Sequence, residues 1–187
     1  ISSQIFQINP GAASLGQYVF IDGGGYCGGT AGGSTTIRLV GTFTLSGTTQ
    51  GAPVDLELVP EFVEGRVVRY VMNEDDALGQ AIDLRQDTGT FVGTVTPIVA
   101  YGGDEVSGQA TAVTLAVAPV KQVVYLDYRP TYVESLRLFG LRAADRLIRA
   151  RILEVVAAAY PGIEIEFRDQ PVTAFAQYEY VELHGPD

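Results

Sequence analysis

Alternation of apolar and polar positions dominates the first part of the chain. In TTIRLVGTFTL, Ile37, Leu39, Gly41, Phe43 and Leu45 fall on one face, and Arg38, Val40, Thr42 and Thr44 on the other. A period of two sustained over that length predicts a strand with one face in a core. VDLELV repeats the logic, with Val54, Leu56 and Leu58 inward against Asp55 and Glu57. Residues 17–21, 66–72, 81–85, 90–100 and 105–117 predict further strands, separated by SGTTQGAP, MNEDDALG, QDTG and YGGDE. The alternation changes phase around Gly108, between Val106 and the set Val113, Leu115 and Val117, which predicts a bulge there.

The pattern changes near residue 118. VVYLDY at 123–128 is a short apolar run of the kind that forms a buried strand. From Val133 to Ala159 the spacing becomes helical, and Leu141, Ala144, Ile148, Ile152, Val155 and Ala159 share one predicted apolar face. Gly140 is positioned to kink this helix or to split off a short first piece, and Tyr160, Pro161 and Gly162 end it. IEIEF at 163–167 and AQYEYVEL at 176–183 alternate again. Of the 22 Gly, 19 precede residue 119, so the boundary falls at Ala118 to Gln122. The expected fold is mainly β with α/β. An antiparallel β-sandwich of immunoglobulin-like type over 1–118 is followed by a β-α-β-β module with one long helix over 119–187.

Charge and composition narrow the chemistry. The chain has 187 residues, a formal net charge of -10 and a single Cys, which excludes an intramolecular disulfide. Residues 1–118 hold 4 basic and 12 acidic groups, net -8, so nucleic acid is not an expected partner. Residues 119–187 are nearly balanced at net -2. No run of 18 or more apolar residues exists, so no transmembrane segment is predicted. The chain begins with Ile, lacks a signal-type start, and has long Gly/Thr/Ser-rich strands with few Lys. Those features read as an exported, extracellular or cell-surface protein of bacterial type, either processed or part of something longer.

Candidate sites are few. GGGYCGGTAGG at 23–33 packs seven Gly into eleven positions but has no GK[ST] ending and leads into a strand, so it reads as a mobile surface loop. Cys27 within it is an isolated thiol. Asn73, Glu74, Asp75 and Asp76 form an acidic turn that reads first as solvated and second as a weak Ca²⁺ candidate, because it lacks the D-x-[DN]-x-[DN]-G spacing. Asp22, Asp104 and Glu105 flank Gly residues and are weaker still. Arg142, Arg146 and Arg149 form a basic stripe whose neighbours Asp145 and Glu154 predict a salt-bridged solvent face. Glu182 and His184 share a strand face, with no third ligand beside them. A chain with one His offers no multi-His zinc site, and no catalytic or cofactor-binding residue is assigned.

Val123 to Tyr128, Ile152 to Gly162 and Ile163 to Phe167, followed by a third strand, carry a resemblance. In order and pattern, residues of about 122–183 resemble the opening of a metzincin-like extracellular metalloprotease domain. The family's HExxH helix has no counterpart here, so no catalytic residue is carried over. Two function classes follow. One is an exported non-catalytic structural, adhesive or assembly subunit, with protein partners or self-association. The other is the N-terminal part of a secreted zinc metallopeptidase whose chemistry lies beyond Asp187. A ligand- or carbohydrate-binding sandwich is a third reading, supported only by ten Tyr.

Overall fold

The computed structural model describes residues 3–186. The chain divides into two compact units, one ending at Val120 and the other beginning at Lys121. Strand makes up 47% and helix 18%, so the protein is mainly β with α/β elements.

The first unit contains β1 (Gln4–Asn9), β2 (Ala12–Ala13), β3 (Tyr18–Gly24), β4 (Ser34–Leu45), β5 (Gly51–Leu58), β6 (Glu61–Glu64), β7 (Val67–Val71), helix α1 (Ala77–Ala81), β8 (Gly89–Tyr101), β9 (Asp104–Ser107) and β10 (Thr111–Val117). One sheet runs β1-β3-β7-β6 and the other β2-β10-β8-β4-β5, with β9 added to β8. All pairs are antiparallel except β2 with β10. The sheets share one apolar core, which makes the unit a β-sandwich. Ile37, Leu39 and Phe43 from β4 are buried there with Val54 and Leu58 from β5, following the alternation; Leu45, at the strand end, is exposed. Val19 and Ile21 from β3 and Val68 and Tyr70 from β7 close the core from the other sheet.

Two strand expectations are corrected. Residues 81–85 are not a strand: the end of α1 and a turn occupy them, although Ile82 and Leu84 are buried as an alternating strand would bury them. Asp76 caps α1 by accepting from the Leu78 N–H at 3.0 Å, and Asp83 Oδ1 accepts from the Arg85 N–H at 3.0 Å. The stretch 105–117 is two strands, broken at Gly108 to Ala110. There the Gly108 N–H donates to the Pro97 carbonyl at 2.7 Å, the Gln109 N–H to the Ser3 carbonyl at 2.9 Å, and a side chain at Gly108 would collide with the Ser3 backbone.

The first part of the Gly-rich stretch, through Gly28, is packed, and residues 29–33 are exposed as a surface loop would be. Tyr26 is buried, its ring lies where a Gly23 side chain would project, and Phe62 fills the equivalent space beside Gly28 and Gly29. Cys27 is pinned at both main-chain groups: its N–H donates to Thr35 Oγ1 at 2.9 Å, and the Thr35 hydroxyl donates back to its carbonyl at 2.8 Å.

The second unit contains β11 (Gln122–Tyr128), α2 (Pro130–Leu138), α3 (Asp145–Ala158), β12 (Ile165–Arg168) and β13 (Glu179–Leu183), with a 3₁₀ turn at Arg142–Ala144. Its sheet runs β12-β11-β13, and both pairings are parallel. Val123 is buried with Val172 and Phe175 from the connection between β12 and β13. The one long helix is two, split at Gly140, the second of the two outcomes its position allowed. Gly140 takes a left-handed conformation, φ 69°, and the Leu141 N–H turns back to the Leu136 carbonyl at 2.7 Å. Pro130 starts α2 at its first turn, upstream of Val133, a position where the missing N–H costs nothing. The buried face of α3 is also rotated from the expected one. Ile148, Ile152, Leu153 and Val156 are half-buried, whereas Leu141, Val155 and Ala159 are exposed. Arg149 occupies part of the inward stripe, which moves the apolar positions around the helix.

Candidate functional site

The parallel sheet of the second unit places charged and aromatic side chains from β11 and β13 on one face. Register pairs Tyr125 with Tyr180 and Asp127 with Glu182. The Tyr180 hydroxyl donates to Asp127 Oδ2, and Arg129 Nη1 donates to the same oxygen at 2.9 Å. Arg129 also approaches Glu182 at 3.8 Å, and Glu182 meets His184 Nε2 at 3.1 Å. The Tyr180 hydrogen bond, helped by Arg129, holds the Asp127 carboxyl below its ordinary range, while the Tyr180 phenol is pushed up by the same contact. This face lies at the carboxyl end of parallel strands, where open α/β sheets place their ligands. Arg129 bridges the two carboxylates Asp127 and Glu182, so the arrangement acts as a clamp joining β11 to β13, with His184 at the outer end.

A second cluster forms between β11 and the helices. The Arg149 guanidinium lies 4.3 Å from the centroid of Tyr128 and 5.5 Å from that of Tyr132. Arg149 Nε also donates to Asp145 Oδ1 at 2.8 Å, which raises the guanidinium pKa further. Arg149 is thus withdrawn from the solvent face expected of it, while the predicted pairing with Asp145 is present. Arg151 and Glu154 form the other expected pair, at 2.7 Å and exposed. Arg142 and Arg146 have no ion-pair partner among the described residues.

Those two arginines border an apolar corner. Leu138, Phe139 and Leu147 are 72, 71 and 74% exposed, and Leu141 is 46% exposed. Four large apolar side chains within ten residues of sequence, on either side of the helix break at Gly140, are thus left exposed. Helical spacing alone does not reveal it, because the continuous-helix reading turns Leu141 inward. The signal available in the sequence is LRLFGLRAADRL itself, with Leu138, Phe139, Leu141 and Leu147 flanked by Arg and interrupted by Gly140.

Three of the four residues of the acidic turn, Asn73, Glu74 and Asp76, have side-chain oxygens engaged, and the Asp75 carboxylate has no hydrogen-bond partner among the described residues. Asn73 Oδ1 accepts from the Asp75 N–H at 3.1 Å, Glu74 pairs with Arg85, and Asp76 accepts from Leu78 and from the Tyr70 hydroxyl, the latter at 2.6 Å. Ca²⁺ binding there would have to displace these bonds. Asp22, Asp104 and Glu105 are not brought together with them. Among the described residues, no group of three or more His, Cys, Asp and Glu is placed to hold a metal ion, and no helix is long and apolar enough to cross a membrane. The sandwich interior leaves an apolar cavity of about 70 Å³, bordered by Ile37, Phe43, Tyr70 and Phe91. Small-molecule pockets usually start near roughly 300 Å³. No protein-family model and no curated protein matches the chain.

Proposed function

We propose that the chain is an exported, non-catalytic assembly part that pairs an immunoglobulin-like sandwich with a metzincin-like β-α-β-β module and works by contact with other protein surfaces. The observation carrying this reading is the exposed corner of Leu138, Phe139, Leu141 and Leu147 in the same stretch as Arg142 and Arg146, which have no ion-pair partner among the described residues. Covering that corner removes apolar area from water, and a partner bearing carboxylates satisfies the arginines. The immunoglobulin-like assignment is supported by strand order. β1-β3-β7-β6 corresponds to an A-B-E-D sheet, and β10-β8-β4-β5 to G-F-C with an added strand. The experiment is light scattering of the purified chain over a concentration series, with a Phe139→Ser, Leu147→Ser double variant. Association in the parent that the variant loses, at unchanged melting temperature, supports the reading; equal behaviour of a monomeric parent and variant up to about millimolar concentration defeats it.

The metallopeptidase reading is favoured by a different feature, the central position of β11 in an all-parallel sheet whose elements follow the order β, α, β, β. In that reading the two units are the non-catalytic front of a longer polypeptide. Chelator-sensitive proteolysis by a polypeptide extended past Asp187, absent from this chain alone with added Zn²⁺, would support it over the first. No such activity in the extended polypeptide would remove it.

A further inference from the structure

The first unit treats its sheet edges unequally. β5 carries Asp55 and Glu57, β6 carries Glu61 and Glu64, and β9 carries Asp104 and Glu105. Charged side chains on edge strands are a standard defence against pairing with another chain. The remaining edge, made by β1 and β10, has none: residues 1–21 and 106–120 contain no charged side chain, in a sequence segment whose net charge is -8 over 1–118.

That edge is also open along its middle. The Ala116 and Ala118 N–H groups point away from β8 and donate to the Gly11 and Ala13 carbonyls, both at 2.9 Å, which is where the two-residue β2 pairs with β10. Strand alternation then sends the N–H and C=O of Ala112 and Thr114 outward on the same side. Among the described residues, neither makes a backbone hydrogen bond on that side, and both are exposed. Between β1 and β10 lies a groove of about 210 Å³, bordered by Ile5, Phe6, Ile8, Val113 and Leu115. It is bounded at one end by the Thr111 hydroxyl donating to the Ile5 carbonyl at 3.3 Å, and at the other by the Ala116 to Gly11 bond. Phe6 on its rim is 63% exposed.

We infer that the β10 edge from Thr111 to Leu115 is a strand-addition site for an extended, uncharged segment of a partner polypeptide with apolar side chains at alternate positions. Main-chain groups of Ala112 and Thr114 supply the ladder, and the groove takes inward side chains of the added strand. β2 marks where this same edge already accepts a strand, so the added segment extends a pairing that the fold has begun. The occupant is uncharged because no side chain on either border offers a countercharge, and a charged residue facing the groove would be desolvated without compensation. The site lies in the first unit and is independent of the corner that carries the proposed function.

The test uses the whole chain, labelled with ¹⁵N, and the probe peptide acetyl-Thr-Val-Thr-Val-Thr amide. Saturable shift changes are expected at Ala112, Val113 and Thr114 and at Phe6 to Ile8, with slowed hydrogen exchange at the Ala112 and Thr114 amides. The Thr114→Pro variant removes one outward donor at a position where an edge strand tolerates Pro. It should bind the probe at least tenfold more weakly with its melting temperature kept. Thr114→Lys tests the same edge by charge should the Pro variant fold poorly, and should also weaken binding at least tenfold. An N-methylated probe lacking main-chain donors should not bind. Absence of saturable shifts at millimolar probe, shifts confined to β5 or β6, or unchanged binding by folded Thr114 variants would overturn the inference. Dimerisation of the parent through this edge, lost in the Thr114 variants, would replace the partner segment by a second copy and overturn the occupant named here.

Discussion

Gly41 and Gly93 lie directly opposite each other on β4 and β8, and the ring of Phe91 fills the space that their missing side chains leave. A Cβ at Gly93 would stand 2.3 Å from the Val40 carbonyl oxygen and 2.7 Å from the Gly41 Cα, and one at Gly41 would stand 2.4 Å from the Val92 oxygen. Neither position has room for a methyl group while the strands stay paired. Gly93→Ala should therefore cost about 1 to 3 kcal/mol by overpacking, and Phe91→Ala about 3 to 5 kcal/mol by leaving the space empty. Urea unfolding checks both. If Gly93→Ala is as stable as the parent, the close approach of β4 and β8 is not what requires glycine here.

Two tyrosines of the sandwich should ionise late. Burial, with Asp22 nearby, pushes the Tyr26 phenol up to about 12, and burial together with the Asp76 hydrogen bond pushes Tyr70 up as well. A raised phenol pKa means that the folded state keeps a proton that the unfolded state releases. Their stabilising contribution is intact below the unfolded value of about 10 and is lost as pH rises through the folded values. Absorbance titration at 295 nm should show a first group of tyrosines near pH 10 and a later fraction that titrates together with unfolding. Tyr70→Phe should shrink that later fraction; complete titration of all ten tyrosines in one step near pH 10, with the fold intact, would contradict this.

The sandwich strands were legible where one face is buried and the other is not. β4 and β5 follow that rule, and their inward residues are the ones that alternation selects. β1 and β6 escaped notice because they are edge strands whose exposed residues blur the period: Phe6 and Val63 both face water. Residues 81–85 show the reverse case. Ile82 and Leu84 are buried two apart, but Asp76 and Asp83 cap and turn the backbone, so burial was legible and backbone class was not. In the second unit, Glu182 and His184 could be paired from their spacing alone. Tyr180 could not be joined to Asp127, because 53 residues separate them and only the parallel register brings them together.

Acid should loosen the second unit through two carboxylates. Asp127 is held low first by Tyr180 and then by Arg129, and Glu166 is held low mainly by Arg168, with Lys121 adding to it. A depressed carboxylate pKa stabilises the fold above the unfolded value, about 4, and the contribution disappears as pH falls through the folded value. Asp127→Asn should lower the melting temperature at pH 7, and the gap from the parent should close as pH falls below about 3 to 4. A gap that stays constant across that range would mean that the ionised form of Asp127 contributes nothing.

Arg149 and Arg151 sit two residues apart on α3 with opposite surroundings. The side chain of Arg149 is 23% exposed and lies over Tyr128 and Tyr132, whereas that of Arg151 is 68% exposed and meets only Glu154. α3 has no fully buried side chain, and the Arg149 stack on Tyr128 ties it to β11. Arg149→Ala should cost about 1 to 2 kcal/mol by combining lost stacking with the lost hydrogen bond to Asp145. Arg151→Ala should stay within about 0.5 kcal/mol, as an exposed pair allows. Arg149→Lys keeps the charge but not the planar group, so it should recover little of the loss. The decisive measurement is a double-mutant cycle with Tyr132→Leu, in which stacking predicts a coupling of about 0.5 to 1 kcal/mol between the two positions. Additive losses would mean that Arg149 holds α3 through Asp145 alone, and Arg149→Lys would then behave like the parent.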